Sequence, residues 1–115
     1  MSGKSFKTVT QDLSKGLAQF RAEVPDVQAG FSALHQASMK AGALDALTKE
    51  LIALAIGVAA RCDGCIGFHV LALIKLGVTK EQLAEMLGVA VMMGGGPSLM
   101  YAGETMRAFE EFSAK

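Results

Sequence analysis

Cys62, Cys65 and His69 are the residues of this 115-residue chain whose types and spacing are suited to chemistry. On a helix that starts near Asp63, a step of about 100° per residue gathers all three within a fan of roughly 60°. Two thiols and an imidazole then share one spot. Glu50 stands twelve residues before Cys62 as the one acid in an apolar run, and it becomes a fourth member if its helix packs antiparallel to the next. The nucleophile of such a site is the thiolate, and an ordinary cysteine, with a pKa of about 8.5, is mostly protonated at neutral pH. Activation is expected from the N–H groups and dipole of a helix start, from Arg61, and from His69 as proton acceptor one turn beyond Cys65. Asp63 works against it, and the sequence does not say which of these charges faces the sulfurs. Cysteines three apart on a first turn also lie within disulfide range, so a sulfenic acid formed on one would be trapped by the other. The arrangement best supports thiolate attack on a peroxide O–O bond or on a substrate disulfide.

The elements that must position these groups all read as helices. Leu13, Leu17, Phe20 and Val24 recur at helical spacing after a candidate cap at Thr10, and the pattern stops at Pro25. A second helix is expected from Asp26, with Val27, Phe31 and Leu34 as its buried stripe, closing at Ala41-Gly42 with glycine in a left-handed C′ position. A third, from about Thr48 to Ala60, is apolar nearly all round and should lie at the centre, so the charge of Glu50 there needs a reason beyond favourable placement at a helix N-terminus. The fourth carries the cysteines and ends at Gly77. Thr79-Lys80-Glu81-Gln82 then forms a capping box, with Val78 and Leu83 as its staple. That fifth helix runs to Gly94-Gly95-Gly96, and Pro97 opens a last one bearing Leu99, Met106, Phe109 and Phe112. No stretch alternates with period two, so the expected fold is a single all-α domain over 1–115 with about six helices.

Other features carry blander readings. Cys62, Cys65, His69 and Glu50 could make a zinc set, but three ligands within two turns of one helix suit a tetrahedral site poorly, and neither metal nor cofactor is expected. The glycine run before Pro97 follows a helix and lacks the Gly-Lys-Ser/Thr ending of a phosphate loop. Tyr101 could line the site from the last helix, although packing is its default role, and the methionines at 86, 92, 93, 100 and 106 are expected to serve packing in a core or a subunit interface. His35 reads as a partly exposed histidine, or one bonded to nearby backbone, with nothing reactive near it in sequence.

Eleven Lys and Arg balance eleven Asp and Glu, which provides no electrostatic footprint for nucleic acid or an anionic membrane as partner. Met1 to Lys7 contains no apolar leader core, and the run from Leu51 to Ala60 is far short of the about 20 residues that span a bilayer. A cytoplasmic location follows as the expectation. Two cysteines close together there read as redox groups, not as a staple. With 51% hydrophobic residues and a mean hydropathy of +0.37, apolar surface should be left over for a homo-oligomer interface.

Glu50 followed by Cys62-x-x-Cys65-x-x-x-His69, with eleven residues between the glutamate and the first cysteine, resembles the signature of the AhpD-like alkylhydroperoxidases of the carboxymuconolactone decarboxylase superfamily. The resemblance spans roughly residues 44 to 96. It implies an all-helical subunit with the cysteine pair at a helix N-terminus, assembled into trimers or hexamers. It also implies a dithiol–disulfide cycle in which Cys65 attacks peroxide, Cys62 resolves, and Glu50 and His69 relay protons, with a thiol or a protein reductant restoring the pair. AhpD itself often carries a histidine just before the second cysteine. Gly64 stands there in this chain, which removes one relay group and leaves a protein disulfide or another electrophile open as substrate. The alternative within the superfamily is a decarboxylase-like lyase or a non-redox binding module, although true decarboxylases typically lack the cysteine pair.

Overall fold

Local signals of the kind just described delimit six α-helices in a computed structural model that describes residues 4–114. They are α1 (Phe6–Glu23), α2 (Pro25–Met39), α3 (Ala46–Ala59), α4 (Asp63–Lys75), α5 (Lys80–Gly94) and α6 (Gly96–Ser113). Among the described residues there is no strand, and the fold is all-α. The capping box at the start of α5 is present in both directions, Thr79 with Gln82, and Val78 and Leu83 are both buried in the core. Gly77 closes α4 with φ +82°, and Gly95 alone, at φ +75°, separates α5 from α6. Positive φ at these two positions is tolerated because glycine has no Cβ to clash.

The core gathers around α3 and α4. Leu54 and Val58 from α3 and Ile66, Val70 and Leu73 from α4 are fully buried, and α5 and α6 cover them with Leu83, Leu87 and Ala108. The start of α1 crosses α4 closely. A Cβ on Gly67 would stand 2.6 Å from Thr10 Cγ2, so glycine at 67 is what lets the two helices approach. Glu111 of α6 holds that start in place. It accepts from the Ser5 hydroxyl at 2.5 Å and from the Phe6 N–H at 2.7 Å, and the Ser5 bond, helped by backbone N–H groups, keeps its carboxyl below the usual range despite some burial.

Four expectations are corrected. The cap of α1 is Ser5, not Thr10; Thr10 is buried inside the helix and donates its hydroxyl back to the carbonyls of Phe6 and Lys7. A hydroxyl that bonds back to the previous turn imitates a cap in sequence. Gly42 does not take a left-handed conformation, because α2 ends earlier, at an extended Lys40. Val27, Phe31 and Leu34 are 57%, 63% and 64% exposed, and α2 has no buried residue at all. Its apolar stripe stays largely exposed, as do Leu13, Leu17 and Phe20 on α1. Finally, α3 is central but not enclosed on every side: Ile52 and Ile56 are exposed.

The turn from α3 to α4 is a Schellman motif. Cys62 N–H donates to the Gly57 carbonyl at 3.0 Å and Arg61 N–H to that of Val58 at 3.1 Å, with Arg61 itself at φ 57°. A side chain in this region costs about 1–2 kcal/mol, part of which glycine returns as unfolded-chain entropy. Arg61→Gly is therefore expected to raise stability by about 0.5–1 kcal/mol, read as a higher midpoint in urea without a change of slope. A lower midpoint would show that the guanidinium contributes more than its backbone costs.

Candidate active site

Cys62 is the N-cap of α4. Its backbone is extended there, φ −104° and ψ 100°, and Sγ accepts the N–H of Cys65 at 3.2 Å. A thiolate at this sulfur would meet unpaired N–H groups and the positive end of the helix dipole. Both cysteines are free thiols and half-buried. Burial pushes the Cys65 thiol up to about 11, and the hydrogen bond and charge of Cys62 push in the same direction. One negative charge on the pair thus discourages a second, and at neutral pH Cys65 keeps its proton.

Glu50 and His69 meet across the α3–α4 contact. Glu50 Oε1 lies 2.6 Å from His69 Nδ1, with both side chains largely buried. A carboxylate only accepts, so in the neutral ring Nδ1 carries the hydrogen and Nε2 keeps the lone pair. The lone acid of the central helix fixes the tautomer and tilt of the imidazole. Gly57 permits the close approach behind the cysteines: a Cβ there would stand 2.9 Å from Cys65 Cβ.

In front of the thiols lies a cavity of about 410 Å³. Leu13 and Leu17 of α1, Phe31 and His35 of α2, and Phe68 of α4 form its walls, with Cys62, Gly64, Cys65 and His69 at its base. A second cavity of about 410 Å³, between α5 and α6, is lined by Leu87, Val91, Leu99 and Met106 among others and contains no titratable or nucleophilic side chain. Of these two, the thiol cavity is the one that holds nucleophilic and titratable side chains.

The three residues on α4 and Glu50 on α3 therefore come together as their spacing implies. His35 lines the same cavity, which its sequence neighbourhood did not indicate; only the α1–α2 hairpin, folding back over α4, brings it there. The place a side chain at 64 would fill is taken by α1, since a Cβ on Gly64 would lie 2.6 Å from Leu13 Cδ1. Asp63 turns away from the cavity wall toward Lys4. Tyr101 is not in the cavity lining either, and its ring sits 5.6 Å from Lys4 Nζ. Among the described residues no three His, Cys, Asp or Glu side chains are arranged to hold a metal ion.

The sequence pattern of the carboxymuconolactone decarboxylase family matches residues 25–111, a span that contains Glu50, Cys62, Cys65 and His69. The chain belongs to that family. This family member is 59% identical to the crystal structure of apo-lpg0406, a carboxymuconolactone decarboxylase family protein from Legionella pneumophila; the two superpose with a TM-score of 0.93 over 95% of this chain and 97% of the other. TM1620 from Thermotoga maritima is 26% identical, with a TM-score of 0.77 over 93% and 91% of the two chains. An uncharacterized protein of Cupriavidus necator is 34% identical over 94% of this chain and 96% of its own length. No helix of the described residues is long and apolar enough to cross a membrane.

Proposed function

We propose that this family member is a thiol-dependent oxidoreductase that reduces hydroperoxides or disulfides through a Cys62–Cys65 dithiol–disulfide cycle. The observation that carries the reading is the pair of free thiols at a helix start, sharing one apolar-walled cavity with an imidazole whose tautomer a buried carboxylate fixes. With a hydroperoxide, His69 Nε2 takes the proton of Cys65 as the sulfur attacks the terminal peroxide oxygen. The O–O bond breaks, the sulfur becomes a sulfenic acid, and the proton leaves on the alcohol. Cys62 then attacks the sulfenic sulfur and expels water. The sum is two thiols and a hydroperoxide giving a disulfide, an alcohol and water. A low-molecular-weight thiol or a protein dithiol returns two electrons and two protons to reset the pair. Such a cycle suits the reducing cytoplasm, where the dithiol is the resting form.

Leu13, Leu17, Phe31 and Phe68 favour a substrate with an apolar body over hydrogen peroxide, because burying a hydrocarbon tail there contributes about 25 cal/mol per Å². We also propose that the chain works as a homo-oligomer, a trimer or a hexamer. A folded monomer of this mass exposes about 6,000 Å². This chain exposes 7175 Å², with the apolar stripes of α1 and α2 on the outside. The excess, roughly 1,200 Å² on one chain, exceeds the about 800 Å² that each partner of a standard-size interface buries.

Thiol counting tests the redox reading. Reduced protein exposed to one equivalent of an alkyl hydroperoxide should lose two free thiols per chain, with no covalent dimer on a non-reducing gel. Unchanged thiols would overturn it in favour of a lyase or a binding module.

A further inference from the structure

We propose that Lys4 is a positioning residue for the dithiol: by pairing with Asp63 it cancels the one negative charge that lies inside the Cys62–Cys65 turn and so makes a thiolate on the pair easier to form. The inference rests on the dithiol reading of the site, but it is tested on the thiols themselves.

Lys4 lies in the segment before α1, far from the cysteines in sequence, and the fold surrounds it with partners. Its Nζ is 3.3 Å from Asp63 Oδ1, 3.2 Å from Asp63 Oδ2 and 3.4 Å from Glu104 Oε2. The ammonium also stands over two rings, 5.7 Å from the centre of Phe6 and 5.6 Å from that of Tyr101. Arg107 Nη2 donates to the Lys4 carbonyl at 3.1 Å, while Nη1 of the same guanidinium holds Glu104 at 2.9 Å. Burial alone would lower the Lys4 pKa, yet Asp63 and Glu104 outweigh it and the net direction is upward. The lysine is firmly charged.

A half-exposed ion pair of this kind contributes little to stability, a median of about 0–1 kcal/mol, so anchoring the chain start is a weak reason for so many contacts. Its electrostatic consequence is larger. Asp63 is the first helical residue after Cys62, and a carboxylate there repels a thiolate on either sulfur. The other charged and titratable groups around the pair are Arg61 in the preceding turn, the Glu50–His69 couple from α3 and α4, and His35 from α2; α1 meets the cavity only with Leu13 and Leu17. Of the acids among these, Glu50 already faces an imidazole. Asp63 is the one whose charge is cancelled from outside the site.

The test is a titration of thiolate absorbance at 240 nm in the reduced full-length chain, wild type against Lys4→Met, Asp63→Asn, the double variant and Lys4→Arg. Lys4→Met keeps the aliphatic stem against the rings and should raise the first apparent thiol pKa by about half to one pH unit. Alkylation at pH 7 should slow by only about two- to threefold, because a more basic thiolate is also a better nucleophile. Asp63→Asn should leave the pKa equal to or below that of wild type. The double variant should return it to the wild-type value, and Lys4→Arg should not move it. An unshifted Lys4→Met, or a double variant as shifted as Lys4→Met alone, would overturn the proposal and leave Lys4 as an anchor of the chain start. If Lys4→Met does not fold, the double variant decides against wild type: a thiol pKa at the wild-type value supports charge cancellation, and one shifted above wild type by about half a pH unit or more refutes it. None of these readings requires peroxide turnover, so failure of the redox reading would show separately in the thiol count.

Discussion

Serine at either position 62 or 65 is expected to reduce peroxide turnover to background, a loss of at least about 10³-fold, because the two sulfurs act as a unit. The single variants should then differ in what they retain. In Cys62→Ser, the Cys65 sulfur can still accept one oxygen, and with nothing to resolve it the sulfenic acid should accumulate to one per chain and be captured by dimedone. In Cys65→Ser the backbone N–H of residue 65 still reaches the Cys62 sulfur, as it does at 3.2 Å in the wild type, yet no peroxide-derived sulfenic acid should form in the assay time. Capture only in Cys65→Ser would reverse the order of attack. Multiple turnover by either variant would dispose of the cycle altogether.

His69→Gln is expected to slow turnover at pH 7 by about 10²-fold, the usual worth of a well-placed general base. The direction of its pH dependence follows from Cys65. With its thiol pushed up to about 11, that sulfur is protonated throughout the neutral range, and in the proposed cycle the imidazole removes the proton during attack. Without the ring, attack must wait for direct ionisation. The rising limb of the rate profile should therefore move upward and continue toward pH 11. Glu50→Gln keeps an acceptor for Nδ1 but not the charge, so a smaller loss of roughly tenfold is expected, whereas Glu50→Ala frees the ring and should approach His69→Gln. An unchanged profile in His69→Gln would remove the imidazole from the proton path. Circular dichroism and a urea midpoint guard against misfolding, since Glu50 is buried and His69 is its hydrogen-bond partner.

Much of this site is readable along the chain because its parts are local. Cys62 at a helix start, His69 one turn past Cys65 and the glycine that ends α4 all follow from spacing and cap chemistry, and Glu50 stands out as a charge where an apolar helix has no need of one. What sequence conceals is where α1 and α2 go. The stripe of Val27, Phe31 and Leu34 shows that one face of α2 is apolar, but periodicity does not say whether the same chain or another copy covers it. The place of His35 in the cavity is hidden for the same reason, since it depends on a hairpin folding back over α4. The start of α1 is misread because the Thr10 hydroxyl bonds within its own helix, while Ser5 and Glu111, 106 residues apart, make the actual cap. Leu13 lies over Gly64, and no local pattern reports contacts made over such separations.

The elbow between α3 and α4 has a mechanical consequence. Gly57 receives the Cys62 amide through its carbonyl and has no space for a methyl group beside Cys65, so the backbone on both sides of the cysteine pair is locked from behind. On the proposed cycle, oxidation would then be accomplished by swinging two sulfur arms about their Cα–Cβ bonds while the main chain stays still. A device built this way would click between its two covalent forms repeatedly without loosening the bundle, and a reductant would encounter the same rigid rim each time.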